Sequence, residues 1–134
     1  MYSGTLSVST TSHMELVDIT GLINEKLRDS GVESGSMLLF NPHTTAGLTI
    51  NEGADPAVRA DIIAGLRKIV PLDHPFKHLE GNSPSHIMAS LMGCSLTLLI
   101  EKGHLILGTW QRIFFCEFDG PRNRKLKWQI TANR

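Results

Sequence analysis

Residues 40–55 read Phe-Asn-Pro-His-Thr-Thr-Ala-Gly-Leu-Thr-Ile-Asn-Glu-Gly-Ala-Asp. They supply an imidazole (His43), two hydroxyls (Thr44 and Thr45), an amide (Asn51) and two carboxylates (Glu52 and Asp55). These groups bracket a short apolar run, Ala46 to Ile50. A strand that only fills a core needs no such density of donors and acceptors at both ends. A second stretch, His78-Leu-Glu-Gly-Asn-Ser-Pro-Ser-His86, adds two more imidazoles, a carboxylate at Glu80 and an amide at Asn82. The two stretches predict two walls of one small, histidine-rich site.

Three imidazoles with a fourth position left open suit a catalytic zinc or a related divalent ion. His43, His78 and His86 are the candidate ligands among the six histidines of the chain. Glu52, Asp55 or Glu80 would then be a fourth ligand, an acceptor for an imidazole N–H, or a general base. The competing reading is plain: separations of 35 and 8 residues match no standard metal motif, so the histidines could simply be hydrogen-bonded. His13, His74 and His104 fall at a strand start or in turn-like contexts and are assigned to that reading. Asp55 has a second use as the cap of a helix that starts at Pro56. Thr44 and Thr45 satisfy turn amides or donate to a bound anion, and Asn82 occupies a turn or orients substrate. Arg122, Arg124 and Lys125 cluster after Asp119-Gly-Pro, either as a solvated turn or as a guanidinium clamp for phosphate. Trp110 is core or a flat pocket wall. No glycine-rich phosphate loop, nucleophile elbow or Cys-x-x-Cys is present.

Secondary structure must position these groups. Residues 2–9 alternate as a strand, and residues 13–19 read as its hairpin partner across Thr11-Ser12. Asp18 or Thr20 caps a helix running to about Asp29, with Gly31 as its stop. Residues 35–41 form a strand apolar on both faces, hence buried, and Pro42 ends it. Residues 46–50 resume as a strand. A helix from Pro56 to Pro71 carries the stripe Val58, Ile62, Leu66 and Ile69. Residues 71–85 make a long loop, and long ordered loops are often functional. A short helix over 85–92 would bury Ile87, Met88 and Leu91. Strands follow at 95–100, 105–108, 111–118 and 124–131. This order predicts one α+β domain over 1–134 with mainly antiparallel strands in a sheet or sandwich.

The bulk properties narrow the classes. With 134 residues, 41% hydrophobic and 19% charged, the chain suits a single globular core. Thirteen basic residues balance thirteen acidic ones, so no field draws it to nucleic acid or a membrane surface. Residues 1–20 lack an apolar leader and no run is long enough to span a bilayer, which leads us to expect a cytoplasmic protein. Cys94 and Cys116 sit in apolar, strand-like runs and read as buried free thiols.

Four blocks in order resemble a known family: Asn41-Pro-His-Thr-Thr-Ala-Gly-Leu-Thr-Ile-Asn-Glu-Gly-Ala-Asp55, His78-Leu-Glu-Gly-Asn-Ser-Pro-Ser-His-Ile87, Leu107-Gly-Thr-Trp-Gln111 and Glu117-Phe-Asp-Gly-Pro-Arg122. They resemble the YjbQ (UPF0047) family, often described as secondary thiamine-phosphate synthases, over nearly the whole chain. Ser85 departs from the pattern, since relatives often carry alanine before the second loop histidine. The resemblance implies a β-sandwich with two or three helices and a homotrimer formed by sheets packing around a three-fold axis. It implies a metal or active site at His43, His78 and His86, and less firmly at Glu52 and Asp55. The implied activity is a weak thiamine-phosphate synthase, joining a pyrimidine methyl diphosphate to a thiazole phosphate with release of pyrophosphate. On that expectation Arg122 holds an anionic group while Thr44, Thr45 and Asn82 position a phosphorylated small molecule. Imidazole ligands favour a zinc-like ion over magnesium, so a metal-dependent hydrolase and a non-catalytic metal-binding trimer stand as alternatives.

Overall fold

The structure, a computed structural model, describes residues 2–134. The elements run β1 (Tyr2–Ser9), β2 (Glu15–Asp18), α1 (Thr20–Ser30), β3 (Gly35–Phe40), β4 (Ala46–Glu52), α2 (Pro56–Ile69), α3 (Ser83–Met92), β5 (Ser95–Glu101), β6 (His104–Leu105), β7 (Gln111–Glu117) and β8 (Asn123–Ala132). A five-stranded sheet has the order β1-β8-β3-β5-β6 and a three-stranded sheet the order β2-β7-β4. Every pairing is antiparallel. The fold is α+β, as the element order predicts.

Two apolar clusters hold three layers together. Leu6, Val8, Met37, Leu39, Leu98, Leu126 and Ile130 from the large sheet meet Leu48, Ile113 and Phe115 from the small one, and Ile19, Ile23 and Leu27 close one side of this core. On the other face of the small sheet, Leu16, Phe114, Cys116 and Phe118 pack with Met88 and Ala89 of α3, and Ile62, Ile63 and Leu66 of α2 lie against them. Strand β7 is thus covered on both faces, which accounts for its unbroken apolar run Ile113–Cys116. Each fully buried phenylalanine there stabilises by about 1.5–3 kcal/mol.

Several local expectations give way. Strand β2 pairs with β7 in the other sheet, not with β1. Residues 10–14 are a corner between sheets: the Thr11 and Ser12 amides both donate to the Glu15 carboxylate at 2.6 Å, and Thr10 N donates to Arg122 O at 3.1 Å. In β3 the pleat sends Met37 and Leu39 into the core and leaves Leu38 and Phe40 exposed at 42% and 43%, so only one face of that strand is buried. Helix α2 has the expected Asp55 cap on Ala57 N at 2.9 Å, but Ile69 at the end of its stripe is 71% exposed. Helix α3 begins at Ser83 and buries Ser85, Met88 and Ala89, whereas Ile87 and Leu91 face outward. Its seating is set by Ser85 Oγ, which donates to Phe118 O at 2.6 Å. Strand β6 spans only His104–Leu105. Cys116 is buried as expected, but Cys94 is exposed.

Candidate functional site

The β4–β7 ribbon decides which polar groups share an end. Ala46 stands opposite Glu117, and Glu52 stands opposite Gln111. At about 3.3 Å per residue, Glu52 is roughly 20 Å along the strand from the turn that carries His43. The carboxylates at the histidine end are therefore Glu117, Asp119 and, through its bond from Asn82, Glu80, whereas Glu52 and Asp55 lie at the far end. Asp55 is engaged there as the cap of α2.

Asn41, which is buried, shapes the turn. Its amide donates to Ala46 O at 2.8 Å and its Oδ1 accepts from His43 N at 3.0 Å. His43 Nε2 in turn accepts the backbone N–H of Lys125 at 2.8 Å. A ring nitrogen that accepts carries its lone pair there, so the proton of the neutral ring sits on Nδ1. Burial pushes His43 below the ordinary histidine range, and the nearby positive charge of Arg124 adds to this.

Beneath the turn lies a closed ion pair. Glu117 and Arg124 have side chains 0% and 2% exposed. Arg124 donates to both Glu117 oxygens and, through Nη2, to Thr45 Oγ1 at 2.9 Å. Thr10 Oγ1 donates to Glu117 Oε1 at 2.7 Å and Asp119 N donates to Oε2 at 3.1 Å. Burial alone would raise the Glu117 pKa. The bonds from Arg124, Thr10 and Asp119, with the Arg124 charge, outweigh it and hold the carboxyl below its ordinary range. Thr45 is thereby committed to the protein interior, while Thr44 is exposed beside the cavity.

The loop after α2 brings in the remaining groups. The His78 and His86 rings stand edge to face with centroids 5.5 Å apart. His86 also lines a cavity of about 540 Å³ with His43, Thr44 and Cys94. Asn82 donates to Glu80 at 2.8 Å and to Asp119 at 2.9 Å, and its Oδ1 is buried without a partner. Arg122 donates to the Asp119 carbonyl through Nε at 2.9 Å and to its carboxylate through Nη2 at 3.2 Å. The expected residues His43, His78, His86, Thr44, Asn82 and Arg122 thus gather at one end of the molecule.

The donor set can be tested against a zinc-like ion. Two imidazoles on one tetrahedral ion, each nitrogen about 2.0 Å from it, put their ring centroids roughly 5 Å apart. The His78–His86 pair fits that spacing. His43 does not join it as placed, because it turns an N–H rather than a lone pair away from Lys125. Among the described residues, no group of three or more His, Cys, Asp or Glu side chains stands close enough to hold a metal ion.

The sequence reading gave no role to Asn41, Glu117 or Asp119, and took Arg124 as part of a solvated turn or an anion clamp, whereas it is buried in an ion pair. A signal was present. Glu117 ends an otherwise apolar run, and a buried carboxylate demands a buried cation. Arg124 shares the inward parity of Leu126 and Ile130, whereas Lys125 does not.

A family model described as UPF0047 protein YjbQ-like matches residues 4–133. A UPF0047 protein of Methanocaldococcus jannaschii is 50% identical over 127 residues, covering 95% of this chain and 92% of that one. UPF0047 protein YugU of Bacillus subtilis is 47% identical over 121 residues, covering 90% and 92%. Among solved structures, a YjbQ/UPF0047 family protein of Clostridium acetobutylicum, described as uncharacterized, matches with a TM-score of 0.92 at 50% identity, covering 95% of this chain and 98% of that one. A hypothetical protein of Aeropyrum pernix matches with a TM-score of 0.94 at 34% identity, covering 99% and 100%.

Proposed function

We propose that this chain, which belongs to the UPF0047 YjbQ-like family, is a small metal-dependent enzyme acting on a phosphorylated small molecule at the histidine end of its two sheets. The observation that carries this reading is the His78–His86 pair, spaced as two imidazoles on one ion, with His86 also lining the cavity beside His43. His78 and His86 would hold a zinc-like divalent ion, and His43 would complete the set once its ring turns away from Lys125 N. A bound divalent ion supplies charge neutralisation for phosphate oxygens or activation of water.

The protein's own groups do the rest. Arg122 is half-exposed and, with the Lys125 side chain nearby in the chain, offers cationic charge to a phosphate. Thr44 donates from the cavity wall, and Asn82 would act by holding the Glu80 and Asp119 carboxylates in place. Asp119, tied to Asn82 and Arg122, is the carboxylate placed to take a proton. Glu52 and Asp55 would reach this chemistry only across an interface between copies of the chain, and a homotrimer is part of the proposal. The reaction expected of the family is the joining of a pyrimidine methyl diphosphate to a thiazole phosphate, in which Arg122 would hold the departing pyrophosphate and a bound ion would supply further positive charge. The imidazole ligands favour a second reading, a metal-dependent hydrolase, because pyrophosphate chemistry usually employs magnesium on oxygen ligands.

The test is turnover by the metal-loaded protein with the two thiamine-phosphate precursors, and in parallel with a panel of phosphate esters. The expected result is measurable turnover in one arm that falls at least tenfold in His86→Ala and in Arg122→Ala. Absence of turnover in both arms would overturn the enzymatic reading and leave a metal- or ligand-binding protein.

A further inference from the structure

A second cavity lies between α2 and β2 and shares no lining residue with the histidine cavity. Its volume is about 600 Å³, within the range of small-molecule sites. The walls are mostly apolar: Met14, Leu16, Pro56, Ala60 and Ile63. Two lining residues, Glu15 and Arg59, carry charge. Glu15 is already engaged, because its Oε2 accepts from the Thr11 and Ser12 amides at 2.6 Å.

Arg59 is different. Its guanidinium carbon sits 5.1 Å from the centroid of the Phe114 ring, a residue fully buried in the small sheet. Stacking of this kind fixes the plane of the guanidinium. Its Nε is buried with no acceptor, and among the described residues it joins no salt bridge. Orphaned buried donors are rare in native proteins and call for an explanation. The helix that carries it buries no residue completely, so the groove between α2 and β2 stays open.

We infer that this groove is a binding site for an amphipathic monocarboxylate, its apolar tail lying against Met14, Leu16 and Ile63 and its carboxylate paired with Arg59. One guanidinium matches one carboxylate through two parallel hydrogen bonds. A phosphate dianion would leave a second negative charge uncompensated against apolar walls, and such a charge is costly to bury. A neutral ligand would leave Arg59 without a directly paired anion, since the Glu15 carboxylate in the same groove forms no salt bridge with it.

The experiment is a titration of the full chain with octanoate, followed by methyl resonances of Ile63 and Met14 in carbon–proton NMR. Saturable shifts at both methyls are expected, with affinity at least tenfold weaker in Arg59→Gln and for octanol in place of octanoate. Ala60→Trp, which fills the groove and keeps the charge, is expected to abolish the shifts. Arg59→Met serves as the second charge-removing variant should Arg59→Gln fail to fold. Unmoved methyls, octanol binding as tightly as octanoate, or unchanged affinity in the folded Arg59 variant would each overturn the assignment. So would methyls that respond only to dilution, since a second copy of the chain would then cover the groove.

Discussion

The Glu117–Arg124 pair is the fixed point of the histidine end, because it holds Thr45 and adjoins the backbone that locks His43. Glu117→Gln leaves Arg124 buried without its counter-charge, and breaking a buried pair in this way costs about 3–5 kcal/mol. A urea midpoint measured against wild type checks the figure. The same pair sets an acid limit. The folded-state pKa of Glu117 lies below its ordinary value of 4.5. The unfolded chain therefore takes up the proton first as pH falls. The stabilisation is present above about pH 4.5 and is lost as pH drops through the folded value. The double variant Glu117→Leu with Arg124→Met removes both charges, so its urea midpoint should decline less between pH 6 and pH 3 than that of wild type. At this scale the histidines, Thr44, Asn82 and Arg122 were legible because polar residues crowded into short stretches stand out. The pairing of Glu117 with Arg124 was less so: the inward parity of each is a local signal, but their meeting depends on how β7 and β8 are divided between the two sheets.

Among the elements, the contact of α3 with β4 brings His86 to the same cavity as His43. Gly47 makes that approach feasible. A Cβ there would meet Met92 Cβ at 2.8 Å and the Gly93 carbonyl at 3.1 Å. Neither atom is the free end of a flexible side chain, so Gly47→Ala must push α3 outward. The expected cost is about 1–3 kcal/mol, as for overpacking elsewhere, read from the thermal or urea midpoint. The chemical shifts of His86 should move with it, whereas those of His104 on the distant β6 should not. Boundaries of α1, α2, β4 and β7 were readable to within about two residues, because caps, prolines and apolar periods mark them locally. On α3, Met88 is buried as expected but Ile87 and Leu91 are not, since Ser85 faces inward to bond Phe118 O and turns those two residues outward. The β1–β2 hairpin failed for a related reason: the Glu15 carboxylate ties residues 11 and 12 into a corner that a pattern of turn residues does not distinguish from a hairpin.

The molecule as a whole leaves an apolar patch open on the outer face of the large sheet, beside the Lys125–Ser7 and Lys127–Thr5 pairs of β8 and β1. Leu38, Phe40 and Leu99 project from adjacent strands on the side opposite the core. The proposed homotrimer would cover this patch, and sedimentation should then give three copies for wild type and one for Leu38→Glu with Phe40→Glu. Wild type sedimenting as a monomer would overturn the proposed trimer. Seen from this scale, the α+β class followed from element order, while the partition of strands between two sheets depended on long-range pairing that no local pattern encodes. No helix among the described residues is long and apolar enough to cross a membrane. The proposed divalent-ion site rests on His78 and His86. Its most direct test is calorimetric titration of zinc into chelator-treated protein, comparing wild type with His78→Ala and His86→Ala. One zinc per chain is expected in wild type, with affinity at least tenfold weaker in each variant. Equal binding by all three proteins, or no binding by wild type, would contradict it.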